Sequence, residues 1–484
     1  MPKSPAETPP TPVRPGLIIA VLAFVGIAVS LMQTIMIPLI PQLPTLLDTS
    51  RANSAWVITA TLLAGAIVTP ISGRLGDIFG KRLMLMISLG ALVIGSILCA
   101  VTVGLLPMLI GRALQGLAMG AIPLGISLLR DVLPRERMGS AVATMSATMG
   151  VGGAVGLPLA ALIAQHADWH MLFWASAALG IICLALVAAV LRESAPGSRA
   201  SFDGWGAFGL SLGLVAFLLP ITKGADWGWT SPLTLGLFAA AVLILACWGI
   251  FEWRTTAPLV NLRVSIRPSV LFTNMASIAV GFAMYGMNLA FPQLLMAPDS
   301  TGYGMGLGMV QAGLVLAPGG VVMMLLSPVS AKITAARGPK TTLLTGSAVV
   351  ALGYVLALIW NQEIWHITLA SMVICGGIGL AYAAMPALIM GSVPLSDTAA
   401  ANGLNALMRS VGTSVSAAVM GVVLAQMTLN LGPVTVPSLA GFQMTFMISI
   451  SAAALAMVLT AFIPRHGHLE RVNAPAPTKV SVSA

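Results

Sequence analysis

Charge is what this chain has least of. Only 8% of its 484 residues are Asp, Glu, Lys or Arg, where a soluble chain carries about 25%. Acids are fewer than bases, 14 against 23. Cysteine is rarer still. Cys99, Cys183, Cys247 and Cys375 are widely separated and sit in apolar stretches. That spacing fits neither a zinc site nor a disulfide framework, so the reading is small apolar packing residues. The five histidines, His166, His170, His366, His466 and His468, fall in loops, at a span edge or in the tail. No nucleophile, metal site or acid/base pair is placed inside an apolar stretch, which argues against an enzyme. No cofactor and no metal are expected. No filter loop or ring of acids marks a channel.

Apolar length is what the chain has in abundance. It is 58% hydrophobic, with a mean hydropathy of +0.97. A helical crossing of a bilayer needs roughly 20 apolar residues. Fourteen stretches approach that length, at about 17–40, 55–72, 83–103, 107–129, 140–164, 171–191, 204–221, 232–250, 270–295, 308–331, 342–360, 366–390, 404–428 and 443–463. Backbone amides without water must bond within their own segment, so these are helices. Barrel strands would be about 10 residues long and alternating. The fold class is therefore all-α integral membrane.

The basic residues report topology. With the N-terminus taken as cytoplasmic, nineteen Lys and Arg fall in inner segments, among them Arg74, Lys81 and Arg82 and, in the second half, Lys332, Arg337 and Lys340. Outer loops hold Arg51 and Lys223, and Arg112 and Arg409 lie inside spans. This bias puts both termini in the cytoplasm. It also removes nucleic acid as the reason for the +9 charge. Residues 1–16 are Pro-rich and expected to be disordered. The first apolar run is too long for a signal peptide and lacks a cleavage site, so it is expected to be retained. Residues 464–484 read as a short cytoplasmic tail.

The two halves echo each other. Gly73-Arg74-Leu75-Gly76-Asp77-Ile78-Phe79-Gly80-Lys81-Arg82 follows span 2. At the matching place, Ala331-Lys332-Ile333-Thr334-Ala335-Ala336-Arg337-Gly338-Pro339-Lys340 follows span 10. Arg74, Gly80 and Arg82 align with Lys332, Gly338 and Lys340, while Asp77 aligns with Ala335. A repeated unit of six spans is predicted: 17–191, then a linker at 192–269 with two extra spans, then 270–463. Such repeats build sites that open alternately to each side.

These stretches resemble the major facilitator superfamily and, within it, the fourteen-span drug:proton antiporters. The 73–82 segment resembles the superfamily loop signature. Leu109-Ile110-Gly111-Arg112-Ala113-Leu114-Gln115-Gly116 resembles its span 4 signature. Gly150, Gly152, Gly153, Gly156 and Pro158 resemble the antiporter run of span 5. Trp56-Val57-Ile58-Thr59-Ala60 and the stretch from Asn402 to Arg409 also look like that family. The resemblance covers nearly the whole chain and implies two six-helix bundles with alternating access. Two departures stand out. Leu157, Ala161 and Leu162 occupy positions where the antiporter pattern has glycine. In Leu31-Met32-Gln33-Thr34-Ile35, Met32 stands where that family carries an acid.

The few polar residues define the candidate site. Asp77, in its glycine-bearing turn, is read as a latch that pairs with an Arg on a neighbouring span. Gly73, Arg74, Gly80, Lys81 and Arg82 belong to it, with part of the basic charge serving orientation. Arg112 costs at least a few kcal/mol inside a span and should face a wet cavity or a partner. The resemblance implies a role in proton coupling or anion holding. Gln115 is one turn on. Arg409 is a second intramembrane cation, either a gate or a structural residue. Asp131 is a proton-carrier candidate behind Asp77, or a structural helix-end acid. Gly150, Gly153, Gly156 and Pro158 are read as a hinge on or near one helix face. Gln33, Thr34, Met36, Gln115, Met119, Tyr285, Asn288, Gln293 and Tyr382 are placed near the central cleft. Methionine there suits varied apolar ligands. The missing acid favours neutral or anionic amphiphiles over cations.

The expected function is export of amphipathic small molecules, as in drug efflux, by proton antiport in a bacterial plasma (inner) membrane. Lipids, an amphipathic substrate and protons are the expected partners, and the chain is expected to be a monomer. A lipid or metabolite exporter or facilitator without proton coupling is the alternative. A membrane sensor without transport is the reading from another class.

Overall fold

Fourteen of the helices are long and apolar enough to cross a membrane. The computed structural model describes residues 15–464 apart from 35, 37, 38, 40–42, 55, 193–201, 432 and 433. Spans 1 to 6 are Pro15–Thr34, Trp56–Phe79, Lys81–Val101, Leu105–Val132, Arg135–His166 and His170–Val190. Spans 7 and 8 are Gly204–Trp227 and Pro232–Arg254. Spans 9 to 14 are Pro268–Met296, Met309–Arg337, Pro339–Ile359, Ile364–Met390, Thr398–Gln426 and Leu439–Ala461. Span 10 is two helices, Met309–Leu325 and Ser327–Arg337, and a 3₁₀ turn at Leu117–Gly120 interrupts span 4.

Several ends differ from the hydropathy reading. Span 2 runs on to Phe79 and span 10 to Arg337, while span 13 starts at Thr398. Hydropathy fades where a helix leaves the hydrocarbon, but helical hydrogen bonding does not. Span 1 ends at Thr34, and much of the predicted remainder to residue 40 lies outside the described residues. Pro15 and Gly16, expected in a disordered terminus, open the first helix. Pro suits this position because the first helical N–H has no intrahelical partner. The rest of that terminus and residues 465–484 lie outside the described residues.

The packing repeats as the sequence does. Span 1 packs on span 5, and span 9 on span 13. Span 3 packs on spans 4 and 6, and span 11 on spans 12 and 14. Span 2 packs on span 4, as span 10 does on span 12. Each half has its own apolar cluster, one around Leu22, Leu89, Leu129 and Cys183, the other around Phe291, Tyr354, Ile374 and Phe446. The halves meet along two seams, span 5 against span 10 and span 2 against span 13, which the repeat relates to each other. Span 7 lies against spans 2 and 13, and span 8 against span 7. In span 8 only Thr234, Ala241 and Glu252 are buried, which makes it the most peripheral span, whereas most of span 12 is buried.

One element was not foreseen. Thr428–Leu431 and Val434–Pro437 pair antiparallel, Thr428 opposite Pro437 and Leu431 opposite Val434, between spans 13 and 14. The Tyr303 hydroxyl donates to the Pro437 carbonyl and ties this hairpin to the loop after span 9.

Candidate functional site

The end of the bundle that holds residues 73–82 is termed inner, as in the topology expected from the sequence. Gly80 has φ 110°, a conformation that favours glycine, and it separates spans 2 and 3. Asp77 therefore falls in the last turn of span 2, where its own helix dipole disfavours a carboxylate. It finds the opposite dipole end across the seam. The backbone N–H groups of Ala399 and Ala400 donate to its two oxygens at 3.3 and 3.0 Å. These are orphan donors at the start of span 13, and an acid cap there is favourable.

Span 13 is thus capped from the other bundle. Its own N-cap residue, Asp397, makes no side-chain cap bond. Asp397 instead meets Arg74 of span 2 at 3.7 Å and accepts from the Asn261 amide at 3.4 Å. Close approach depends on two glycines. A Cβ on Gly73 would stand 2.5 Å from the Ala399 carbonyl oxygen, and one on Gly403 would stand 2.7 Å from that of Thr69. The expected partner of Asp77 was an Arg on a neighbouring span. The structure corrects this to a helix N-terminus, with Lys81 the ion-pair neighbour at 3.9 Å.

The surrounding charges are also used. Lys81 binds the Asp131 carboxylate at 2.7 and 2.9 Å, which gives Asp131 a pairing role at the end of span 4. Beside it, Arg130 donates across the seam to Thr398 Oγ1 at 2.5 Å and the Val393 carbonyl at 3.3 Å. Arg82 points away from the seam and donates to the Ala188 carbonyl near the end of span 6, at 3.0 Å. The segment after span 8 completes the site. Glu252, buried in the last turn of span 8, accepts from the Val260 N–H at 2.6 Å and pins the strap that carries Asn261. A cleft lined by Arg74, Asp397, Asn261, Val260 and Leu404 opens between strap and latch.

Deeper in the membrane the predicted residues divide. Arg112 is 2% exposed and faces a partner rather than a wet cavity. It donates to Gln115 Oε1 at 2.6 Å and to the Val57 carbonyl at 3.4 Å, and Gln115 donates on to Ser96 Oγ at 2.8 Å. This chain knits spans 2, 3 and 4 and takes Gln115 out of the cleft. Met36 is buried with Leu39, Leu43 and Val57 at the outer end. Met119 packs over Gly65. Gln33 and Thr34 are half-buried, and Gln293 donates to the Leu289 carbonyl of its own helix at 3.1 Å. Arg409 lies with its guanidinium 4.6 Å from the Tyr382 ring centre. Tyr285 is half-buried and Asn288 exposed.

The span 5 glycines do not share a face, contrary to expectation. Gly150 meets Met323 of span 10, Gly152 meets Ser30, Gly156 meets Thr34 of span 1, and Gly153 borders open space. Pro158 packs on Gly313 of span 10. Three of these glycines thus serve packing in two directions, both within the bundle and across the seam.

Two sets of six spans that pack alike, the Asp77 cap across their seam, and spans 7 and 8 account for the spans of the described residues. The profile of the Major Facilitator Superfamily matches residues 22–417 and 278–483. The chain belongs to the major facilitator superfamily. The chain is 26% identical, over 85% of its length, to an uncharacterised MFS-type transporter of Mycobacterium tuberculosis, and spans 60% of that relative's length. It is 27% identical to the tetracenomycin C resistance and export protein of Streptomyces glaucescens, over 88% of this chain and 79% of that one. It is 23% identical to the multidrug transporter protein MdtP of Bacillus subtilis, over 78% and 69%. Among solved structures, the human organic anion transporter MFSD10 (TETRAN) superposes with a TM-score of 0.65 at 13% identity, covering 94% of this chain and all of that one. At that identity the likeness concerns the fold alone.

Sequence reasoning missed Arg130, Glu252, Asn261 and Asp397 in this superfamily member. Asp397-Thr398 ahead of a small-residue run is a helix-start pattern and could have placed the beginning of span 13. Glu252 gave no such signal, since an acid beside Arg254 at a span end reads as a solvated pair.

Proposed function

We propose that this transporter exports amphipathic small molecules by alternating access, with proton antiport as the coupling. The observation that carries the reading is the Asp77 carboxylate of one bundle capping the first helix turn of span 13 in the other. A bond of this kind must break for the inner end to open. Protonation would remove the charge that makes it strong, so proton binding and opening are linked. The small-molecule side is supported by relatives named for multidrug transport and for tetracenomycin C resistance and export. The basic loops support cytoplasmic termini in a bacterial plasma membrane.

A facilitator without proton coupling is the second reading. It is favoured by the acid positions: Asp77, Asp131 and Glu252 all sit in the inner end turns of their spans. The deciding experiment is efflux of a lipophilic dye from proteoliposomes, with and without an imposed pH gradient. Wild type is compared with Asp77→Asn and Arg112→Ala. Gradient-driven efflux that Asp77→Asn abolishes while exchange persists is the expected result. Efflux indifferent to the gradient would remove proton coupling and leave the facilitator.

A further inference from the structure

Arg409 is the twelfth residue of the 29-residue span 13. At 1.5 Å per residue it stands about 17 Å along a helix of about 43 Å, close to mid-membrane. A cation there is costly and needs a partner. Arg112 has one in Gln115 and the Val57 carbonyl. Arg409 does not: among the described residues no oxygen accepts from its guanidinium and no carboxylate pairs with it. Its contact is the face of the Tyr382 ring, which orients the planar group without neutralising it.

The surroundings are organised around this group. Tyr382 is 2% exposed, and its hydroxyl lies 3.0 Å from Met284 Sδ. Its carbonyl accepts from Ser146 Oγ of span 5 at 3.0 Å, so the platform rests on the seam between bundles. Gly281 on span 9 leaves room for the arginine stem, since a Cβ there would be 3.2 Å from Arg409 Cγ. Arg409 is half-buried, with Gly281 of span 9 and the Tyr382 ring of span 12 against it. One and two turns beyond Gly281, on the same side of span 9, Tyr285 is half-buried and Asn288 exposed.

We propose that Arg409 is the anchoring cation of a site for the anionic headgroup of an amphipathic substrate. Tyr382 fixes the guanidinium, and Met284 with Tyr285 takes part of the apolar body. The proposal rests on the export reading and names its substrate class. Five N–H donors without an acceptor in a low-dielectric site suit a carboxylate, sulfonate or phosphate group.

The test is equilibrium binding to the purified full-length protein in neutral detergent, read by fluorescence anisotropy. The probes are dansylglycine and dansylglycinamide, near-isosteres that differ in one negative charge. Wild type should bind the carboxylate about tenfold tighter than the amide. Arg409→Gln should erase that preference by weakening the carboxylate alone. Arg409→Lys, which keeps the charge but loses the planar fork, should retain part of it and guards against a folding artefact. Equal binding, no binding of either probe, or a preference that survives Arg409→Gln overturns the proposal. Nanodiscs of phosphatidylcholine with and without phosphatidylglycerol identify the occupant. Competition by phosphatidylglycerol assigns the site to a lipid headgroup, and its absence assigns it to a smaller amphiphile. Binding needs no gradient, so failure of proton antiport in proteoliposomes and failure of this site are separate outcomes.

Discussion

The loops at 73–82 and 331–340 occupy equivalent places in the repeat and share one architecture. Gly80 and Gly338 break their helices with φ 110° and φ 82°. Arg82 donates to a carbonyl near the end of span 6, and Lys340 donates to those of Ala461 and Ile463 at the end of span 14. The helix before each loop leans on the opposite bundle, span 2 on span 13 and the Ser327–Arg337 helix on span 5. They differ in the acid. Asp77 caps span 13, whereas Ala335 offers no acceptor to span 5. One loop folds its bundle and grips the other; its twin only folds. The turn and the tether recur in both loops, and the acid with its cap is found in the first alone.

Substitutions at the acid position should produce the largest contrast. Asp77→Asn removes a charge from a buried cap with two N–H donors, worth about 1.5–3 kcal/mol per charge-assisted bond. Gradient-driven efflux should fall tenfold or more by the relation of about 1.4 kcal/mol to one decade. Ala335→Asn, on the twin loop, should leave efflux within about twofold, because no bond is lost. Equal losses at the two sites would end the distinction. Arg74→Gln comes next. It breaks the pair with Asp397 but leaves the Asp77 cap, so efflux should drop less, while Lys332→Gln should change little. The expected Arg74 cost is about 1 kcal/mol, since the pair is long and Asp397 keeps the Asn261 amide.

Composition alone made the fourteen spans legible, because a bilayer imposes length and hydropathy on every helix that crosses it. The repeat was legible too, as a glycine and flanking bases at a fixed place in each half. The site was legible in part. The pattern 73–82 pointed at Asp77 and Arg74, but not at their partners. Ala399 and Ala400 contribute backbone N–H groups, and a backbone donor leaves no trace in residue identity. Asp397 and Asn261 lie far along the chain from Arg74, and pairing across such separations is set by tertiary packing. Arg112 and Arg409 looked alike as cations inside spans. Only their neighbours separate them, a glutamine three residues on for one and an aromatic face on another helix for the other.

The turn glycines should give smaller and matched effects. An Ala at φ near +80° to +110° is strained by about 1–2 kcal/mol. No atom stands within 4 Å of a Cβ at Gly338, so strain rather than crowding sets the cost there. Gly80→Ala and Gly338→Ala should each lower the unfolding midpoint in detergent by a few degrees, and by similar amounts. The twins should then part in transport: Gly80→Ala shifts the backbone that aims Asp77 and should also reduce efflux, whereas Gly338→Ala should not.

The tethers should give the smallest effects and the closest match. Arg82→Gln and Lys340→Gln each remove a basic donor from carbonyls at a helix C-terminus, where a cation contributes about 0.3–1 kcal/mol. Both sites are at the bundle surface, so the loss should be screened by salt. The expected outcome is a small drop in thermal midpoint for each variant at low ionic strength, shrinking at high ionic strength, with efflux per folded protein unchanged. A loss of efflux confined to Arg82→Gln would show that the first loop uses its tether for gripping as well as folding, and would sharpen the asymmetry between the loops beyond the single acid.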